Sequence, residues 1–336
     1  MRSTIRQVAK LAGVSPKTVS NVLRGLTGET SPDTRERVIR AARELDYMPT
    51  QPGTPQNRRV ATRIMAMAFD DGDPVQHHLG LETLSGLRAG AIEHGYDLLM
   101  SLRPTPEWLA GREEATVLDK RCDAYLFALP KRRDKLLAAL GASGTPAVAL
   151  YATDVPPGVA WVGPDNALAM RLAVDRLHGA GHRRIAHLAG LPVLSEARER
   201  AAGFSAAMRA HGLDEWSERI VAADWNPRAP GAAGACARVL DWKPTAVVCA
   251  NDFLALGLIA CAKDRDLNVP GDLSLVGMDD VREAAERGLT TVRNPFYAIG
   301  RAAVGAAVAI IQGTPAAEAC QRIALDLIER RSVRAI

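Results

Sequence analysis

Ser15-Pro16-Lys17-Thr18-Val19-Ser20-Asn21-Val22-Leu23-Arg24-Gly25 is the stretch from which the fold is best read. Ser15 suits a helix N-cap, Pro16 the first helical position, and Gly25 the left-handed residue after the last one. Val19, Val22 and Leu23 recur at i, i+3 and i+4, so they share one inward face. Lys17, Ser20, Asn21 and Arg24 fall on the other side, where every residue can donate a hydrogen bond and none is acidic. Such a helix can lie in a DNA major groove. A solvated surface helix carries the same pattern, so the neighbouring residues decide.

Working outward, Thr4-Ile5-Arg6-Gln7 has the form of a capping box, with Thr at the cap and Gln three residues on. The helix it opens turns Ile5, Val8, Ala9 and Ala12 inward and stops at Gly13, which leaves only Val14 before the Ser15 cap. That is the tight connection of a helix-turn-helix. A third helix starts at Ser31-Pro32-Asp33, buries Val38, Ile39, Ala42 and Leu45, and ends at Tyr47-Met48-Pro49. Residues 1–48 hold nine Lys/Arg against five Asp/Glu, an excess of four, which equals the formal charge of the whole chain. A basic head on a neutral body is the electrostatic footprint of a phosphate-binding module.

At 336 residues and 47% hydrophobic content, the chain divides into more than one domain. No run of about 18 apolar residues is present, so no membrane span is expected. The polar, basic start lacks the apolar core of a secretory signal, which points to a cytoplasmic protein. Cys122, Cys236, Cys249, Cys261 and Cys320 are scattered without a C-x-x-C pair, so they read as reduced core residues rather than a disulfide or zinc framework. His178 and His182 are four apart, but Gly179 and Gly181 interrupt the helix that would align them on a metal. Neither a metal nor a cofactor is expected. The phosphate-binding, nucleophile-elbow and zinc-protease signatures are all missing, which argues against an enzyme. A transport binding protein is disfavoured by the head and by the missing signal. Residues 49–60, with Pro52, Gly53 and Pro55, read as a linker in which Arg58 and Arg59 are either phosphate contacts or part of a solvated tether.

From residue 61 the pattern alternates strand and helix: strands at Ile64–Phe69, Tyr96–Leu102, Asp123–Leu129, Ala147–Leu150, Arg184–Leu188, Ala246–Cys249 and Leu273–Gly277, with helices between. This is the rhythm of an α/β fold with two doubly wound parallel sheets, in which ligands sit beyond the carboxyl ends of the strands. Asp70 and Asp71, Asn251 and Asp252, Asp279 and Asp280, and the early-helix Arg198 and Arg200 fall there, with Trp161 and Trp225 near by. Carboxylates, an amide and a guanidinium beside flat indoles suit a small polyhydroxylated ligand. Asp252 and Asp280 can equally be helix caps, and either tryptophan can be packing.

These residues resemble the lactose-repressor/galactose-repressor family of bacterial regulators over nearly the whole chain. The head signature is Thr4–Ser15 with Thr18-Val19-Ser20. Body motifs are Gly181-His182-Arg183-Arg184-Ile185-Ala186, Glu199-Arg200-Ala201-Ala202-Gly203-Phe204, Ala250-Asn251-Asp252, Val276-Gly277-Met278-Asp279-Asp280 and Leu289-Thr290-Thr291-Val292. The resemblance implies a helix-turn-helix head at 1–48 and a periplasmic-binding-protein-like pair of lobes, 61–161 with 293–322 and 162–292 with 323–336. It implies a homodimer on a near-palindromic DNA operator, switched by a small effector: a sugar first, then a sugar acid, then a nucleobase. DNA contacts then fall to Thr4, Ser15, Pro16, Lys17, Thr18, Ser20, Asn21, Arg24 and Tyr47. Effector contacts fall to Asp71, Trp161, Arg200, Trp225, Asn251, Asp279, Asn294 and Phe296. One departure stands out: Gln51–Asn57 lacks the leucine that family members wedge into the minor groove, and its prolines and glycine disfavour a hinge helix. Weak kinking at the operator centre is expected.

Overall fold

The computed structural model describes residues 4–23, 30–45, 61–69, 78–101, 122–130, 135–226 and 228–336. Arg24, Gly25, Tyr47, the 49–60 linker, Asp70 and Asp71 lie outside them. The chain divides into two compact units, residues 1–60 and 61–336.

The first unit holds helices α1 (Ile5–Ala12), α2 (Pro16–Leu23) and α3 (Pro32–Glu44). Thr4 forms the reciprocal capping box with Gln7, and Gly13 adopts φ 65° so that its N–H returns to the carbonyls of Ala9 and Lys10. That left-handed residue turns the chain directly into α2. Val8, Ala9, Ala12, Val19, Val22, Val38, Ala41 and Ala42 form the buried core, with Ile5, Val14, Ile39 and Leu45 at its margin. Ala41 joins the α3 seam, whereas Ile39 and Leu45 are only half-buried, because the face that meets α1 is rotated from the one the apolar spacing marks.

The second unit contains two six-stranded sheets. The first uses β1 (Ile64–Phe69), β2 (Asp97–Ser101), β3 (Ala124–Ala128), β4 (Ala147–Leu150), β5 (Ala160–Pro164) and β11 (Gln321–Ile323), in the order β11-β5-β4-β3-β1-β2, all parallel. The second uses β6 (Ile185–Ala189), β7 (Ile220–Ala222), β8 (Ala246–Cys249), β9 (Ser274–Asp279), β10 (Thr290–Arg293) and β12 (Asp326–Ile328), in the order β12-β10-β9-β8-β6-β7. Its strands are parallel except β12, which runs antiparallel to β10. Strands such as β4 are buried on both faces: Val148 and Leu150 enter one core and Ala147 and Ala149 the other. Two-sided burial is why they read as continuous apolar runs.

Helices α4 (His78–His94) and α11 (Phe296–Ile311) cover one face of the first sheet and α5 (Lys135–Ser143) the other. The α4–α11 pair packs backbone to backbone: a Cβ on Gly86 would lie 2.0 Å from the Tyr297 carbonyl oxygen, and one on Gly300 2.3 Å from that of Thr83. Ile92 on α4 is 66% exposed, because α4 buries the stripe through Thr83 and Leu87. In the second lobe α6 (Asn166–Gly179) and α7 (Ser195–Ala210) line one face, and α8 (Ala232–Asp241) and α9 (Asp252–Lys263) the other, with α10 (Arg282–Arg287) beyond β9. Among the described residues no helix is long and apolar enough to cross a membrane.

The chain passes between sheets three times: after β5 at Pro164, after β10 at Arg293, and between β11 and β12 after Ile323.

Candidate functional sites: a head helix and an interlobe cleft

In the head, the donor-bearing face of α2 is available. Lys17 and Pro16 are exposed, and Thr18, Ser20 and Asn21 are half-buried. Ser15 Oγ accepts from the Thr18 N–H at 3.0 Å and sits 2.9 Å from Thr18 Oγ1, so these two side chains cap the helix and fix its first turn. Thr4 is likewise occupied by its capping box. Lys17, Ser20 and Asn21 project on the side of α2 opposite Val19 and Val22, which are buried at 0% and 5% exposure.

In the body, the expected cleft residues converge at the carboxyl ends of the second-lobe strands. Arg200, on the second turn of α7, is buried; its Nε donates to Asn166 Oδ1 at 2.9 Å, and its Nη1 donates to the Ala250 carbonyl. Its guanidinium carbon lies 5.3 Å from the Trp225 ring. The indole fits there because residue 190 is glycine, where a Cβ would come within 2.3 Å of the ring. Burial pulls the Arg200 pKa down, opposed by the nearby carboxylates of Asp279, Glu196 and Glu199. Burial also pushes the Glu196 carboxyl up.

Asn251 turns out to be the N-cap of α9: Oδ1 accepts from the Leu254 N–H at 2.7 Å and Nδ2 donates to the Trp225 carbonyl at 3.4 Å. The capping role considered for Asp252 therefore belongs to its neighbour. Asp252 is fully buried, accepting from Val281 N–H at 2.9 Å and from Thr291 Oγ1 at 2.6 Å. Burial, with Asp279 adding to it, pushes its carboxyl up to about 7. These bonds brace a turn in which Asp279 and Asp280 both hold positive φ, 118° and 64°. Asp280 does not cap a helix either; Arg293 and Arg330 grip it at 2.8 and 2.6 Å. Burial works against its charge, but those two guanidinium bonds prevail and lower its pKa.

Asp279, at the end of β9, accepts from Asn294 Nδ2 at 3.2 Å. The other amide atom, Asn294 Oδ1, is buried without a hydrogen-bond partner among the described residues. It is an acceptor awaiting a donor. Phe296, at the start of α11, is buried against Tyr151, ring centroids 6.0 Å apart and edge to face. Sequence reasoning missed Tyr151, whose hydroxyl lies 2.5 Å from Thr83 Oγ1 and whose pKa is driven up by burial. Its position one residue past β4 was the available signal.

Trp161 does not join this group. It packs on the α5 side of the first sheet, and Arg322 covers it at 5.1 Å. Second in β5, it alternates away from Ala160 and Val162. A separate cavity of about 400 Å³, lined by Ile220, Val221, Ala222, Arg238, Asp241 and Trp242, runs along edge strand β7 and contains none of the expected residues. The cavity offers one guanidinium and one carboxylate, Arg238 and Asp241, whereas Arg200, Asn251, Asp279 and Asn294 gather at the strand ends of the cleft. Among the described residues no group of three or more His, Cys, Asp or Glu side chains is placed to hold a metal ion.

Residues 4–50 match the family described as bacterial regulatory proteins, lacI family, and residues 174–333 match a periplasmic binding protein-like domain. The HTH-type transcriptional repressor CytR of Escherichia coli K12 is 31% identical over 349 aligned residues, covering 99% of this chain and 97% of its own length. The HTH-type transcriptional regulator CelR of Thermobifida fusca is 32% identical over 312 residues, 89% of each chain. Among solved structures, a transcriptional regulator CelR–cellobiose complex is similar with a TM-score of 0.73 at 28% identity, covering 98% of this chain and 100% of that one. The lac repressor dimer bound to operator and the anti-inducer ONPF shares the fold, with a TM-score of 0.71 at 24% identity and full coverage of both chains.

Proposed function

Because the chain belongs to the lacI family of bacterial regulatory proteins, transcriptional regulators of repressor type, we propose that two copies of it bind a near-palindromic operator through α2. A small molecule held between the lobes alters that affinity. The observation that carries this reading is the exposed, acid-free face of α2 on a compact head joined to a cleft where Arg200, Asp279 and Asn294 meet. One head offers few base contacts, so pairing two heads supplies the affinity. Lys17, Ser20 and Asn21 supply donors to bases and phosphates. Pro16 offers apolar contact only, as to a thymine methyl. Thr4, Ser15 and Thr18 hold the helix ends, and the family resemblance adds Arg24 and Tyr47 to the DNA contacts.

In the cleft, Asp279 and the Asn294 carbonyl accept hydroxyl donors, Arg200 donates, and Trp225 and Phe296 present flat apolar faces. Asn251 shapes the floor by fixing Trp225. That balance favours a neutral sugar; the similar CelR structure is a cellobiose complex. A sugar acid is the second choice, favoured by the buried Arg200. A nucleobase is the third. Effector binding to one lobe arrangement shifts the spacing of the two heads.

The test is equilibrium binding of the full chain to a duplex selected from random sequence, across a salt series. Affinity is expected to fall steeply with salt. Lys17→Ala is expected to weaken it about tenfold and to reduce the salt slope by about one. Arg200→Ala is expected still to bind the same duplex, yet to ignore those sugars, sugar acids or nucleobases that raise the wild-type melting temperature. Undiminished affinity in Lys17→Ala, or no binding to duplex DNA at any salt, overturns the proposal.

A further inference from the structure

Glu199 immediately precedes Arg200 on α7, and neighbouring helical residues point about 100° apart. While Arg200 faces the cleft, Glu199 faces the passages between the lobes. Its Oε1 accepts from Thr153 Oγ1 at 2.5 Å, and its Oε2 accepts from Asn166 Nδ2 at 2.8 Å. Arg322 Nη2 approaches Oε1 at 3.6 Å, its guanidinium steadied over Trp161. Thr153 belongs to the first-lobe loop after β4, Asn166 opens α6 just past the first passage, and Arg322 lies on β11 just before the third. Two further contacts join the same loop to the same helix: Arg198 to Asp154 at 2.9 Å and the Thr153 N–H to Ser195 Oγ at 3.4 Å.

We propose that Glu199 is the positioning residue through which the cleft governs the hinge, clasping the first-lobe loop and the ends of two passages onto the helix that carries Arg200. Asn166 is the link. One planar amide donates to Glu199 through Nδ2 and accepts from Arg200 Nε through Oδ1 at 2.9 Å. The two ends of that amide cannot move independently, so a ligand that draws the Arg200 guanidinium away from Asn166 also turns the amide away from Glu199. The clasp then slackens where the lobes pivot. The Arg322 pair is partly exposed and screened, so the Thr153 and Asn166 hydrogen bonds hold most of the clasp.

This inference deepens the reading of the cleft as a regulatory site, and its test uses neither ligand nor DNA, so the two can fail separately. Amide hydrogen exchange of the full, unliganded chain is compared among wild type, Glu199→Ala, Thr153→Val and Thr153→Ser. In Glu199→Ala, residues 160–166 and 321–328 are expected to exchange about tenfold faster, while β8 and β9 keep wild-type protection. Thr153→Val, which removes one hydroxyl at nearly constant shape, is expected to give about a threefold rise in the same segments. Thr153→Ser, which keeps the hydroxyl, is expected to leave them at wild-type protection. No change at the passages, or an equal rise across both sheets, overturns the proposal. If Glu199→Ala fails to fold, the two Thr153 variants decide it alone.

Discussion

On the first-lobe side of the cleft Tyr151 and Phe296 meet edge to face beside Thr83. On the second-lobe side Arg200, Asn251, Asp252 and Asp279 form a polar wall. The polar wall is bonded to its own backbone: a carbonyl holds Arg200, a helix end occupies Asn251, and a strained turn hangs on Asp252. It is set before any ligand arrives, which lowers the cost of ordering on binding. The aromatic wall is seated on the packing of α4 on α11. One wall is fixed by electrostatics and hydrogen bonding, the other by close helix contact. They should therefore respond to different insults.

The strongest test of that contrast is Gly86→Ala. The added methyl meets the backbone of α11 rather than a flexible side chain, so α4 must shift. We expect a loss of about 3 kcal/mol, at the upper end for overpacking, read from the denaturant midpoint. The loss should be concentrated in the first lobe.

Acid should probe the other wall. His187 on β6 is buried and neutral, with Nδ1 donating to the Val248 carbonyl at 2.8 Å and the ring stacked on Phe204. Burial lowers its pKa to about 4, with the hydrogen bond to Val248 opposing and Arg200 adding to the shift. An unfolded histidine takes up its proton near 6.5, so the unfolded state binds protons first. Stability is therefore full above pH 6.5 and falls as pH drops towards 4, by about 3 kcal/mol. Asp252 runs the other way. Its folded pKa is raised to about 7, so its favourable contribution is complete in acid, below the unfolded value, and is lost as pH rises through 7. Urea titrations from pH 4 to 8 on wild type and His187→Leu should separate them. In wild type the two slopes oppose each other between pH 4 and 6.5, whereas in the variant the Asp252 decline from about pH 4 to about pH 7 should stand alone.

The mildest test is Tyr151→Phe. It removes one buried hydroxyl contact with Thr83 but leaves the ring against Phe296, and about 1 kcal/mol of stability should go. A much larger loss would show that the aromatic wall also depends on hydrogen bonding, and the contrast would narrow.

What could be read from sequence follows the same division. Strands β4 and β8 were placed to the residue, because burial on both faces gives an unbroken apolar run with polar punctuation; β1 was placed as well, though Ile64, Ala66 and Ala68 are only half-buried. Helix α11 was missed: alanines and glycines such as Ala303, Gly300 and Ala307 blur the contrast between its buried face and its exposed one. Strands β11 and β12 are three residues each, too short to carry a pattern of their own. In the cleft, Arg200 and Asp279 are brought together as strand-end placement implied. The bonds from Glu199 to Thr153, 46 residues away, and from Asp252 to Thr291, 39 away, exist only once the lobes have formed. Trp161 was placed by proximity to a passage, but the pleat of β5 sends it to the opposite face.

The glycine seam has a consequence for how the protein is made. Helix α4 leaves the ribosome early, yet its partner α11 begins at residue 296, after almost the whole second lobe has been translated. Until then the bare backbone around Gly86 has nothing to lie against, and the earlier lobe waits unfinished while the later one is free to close. Order of synthesis and order of completion are thus reversed, and the interval in which α4 stands uncovered is when the nascent chain is most exposed to aggregation.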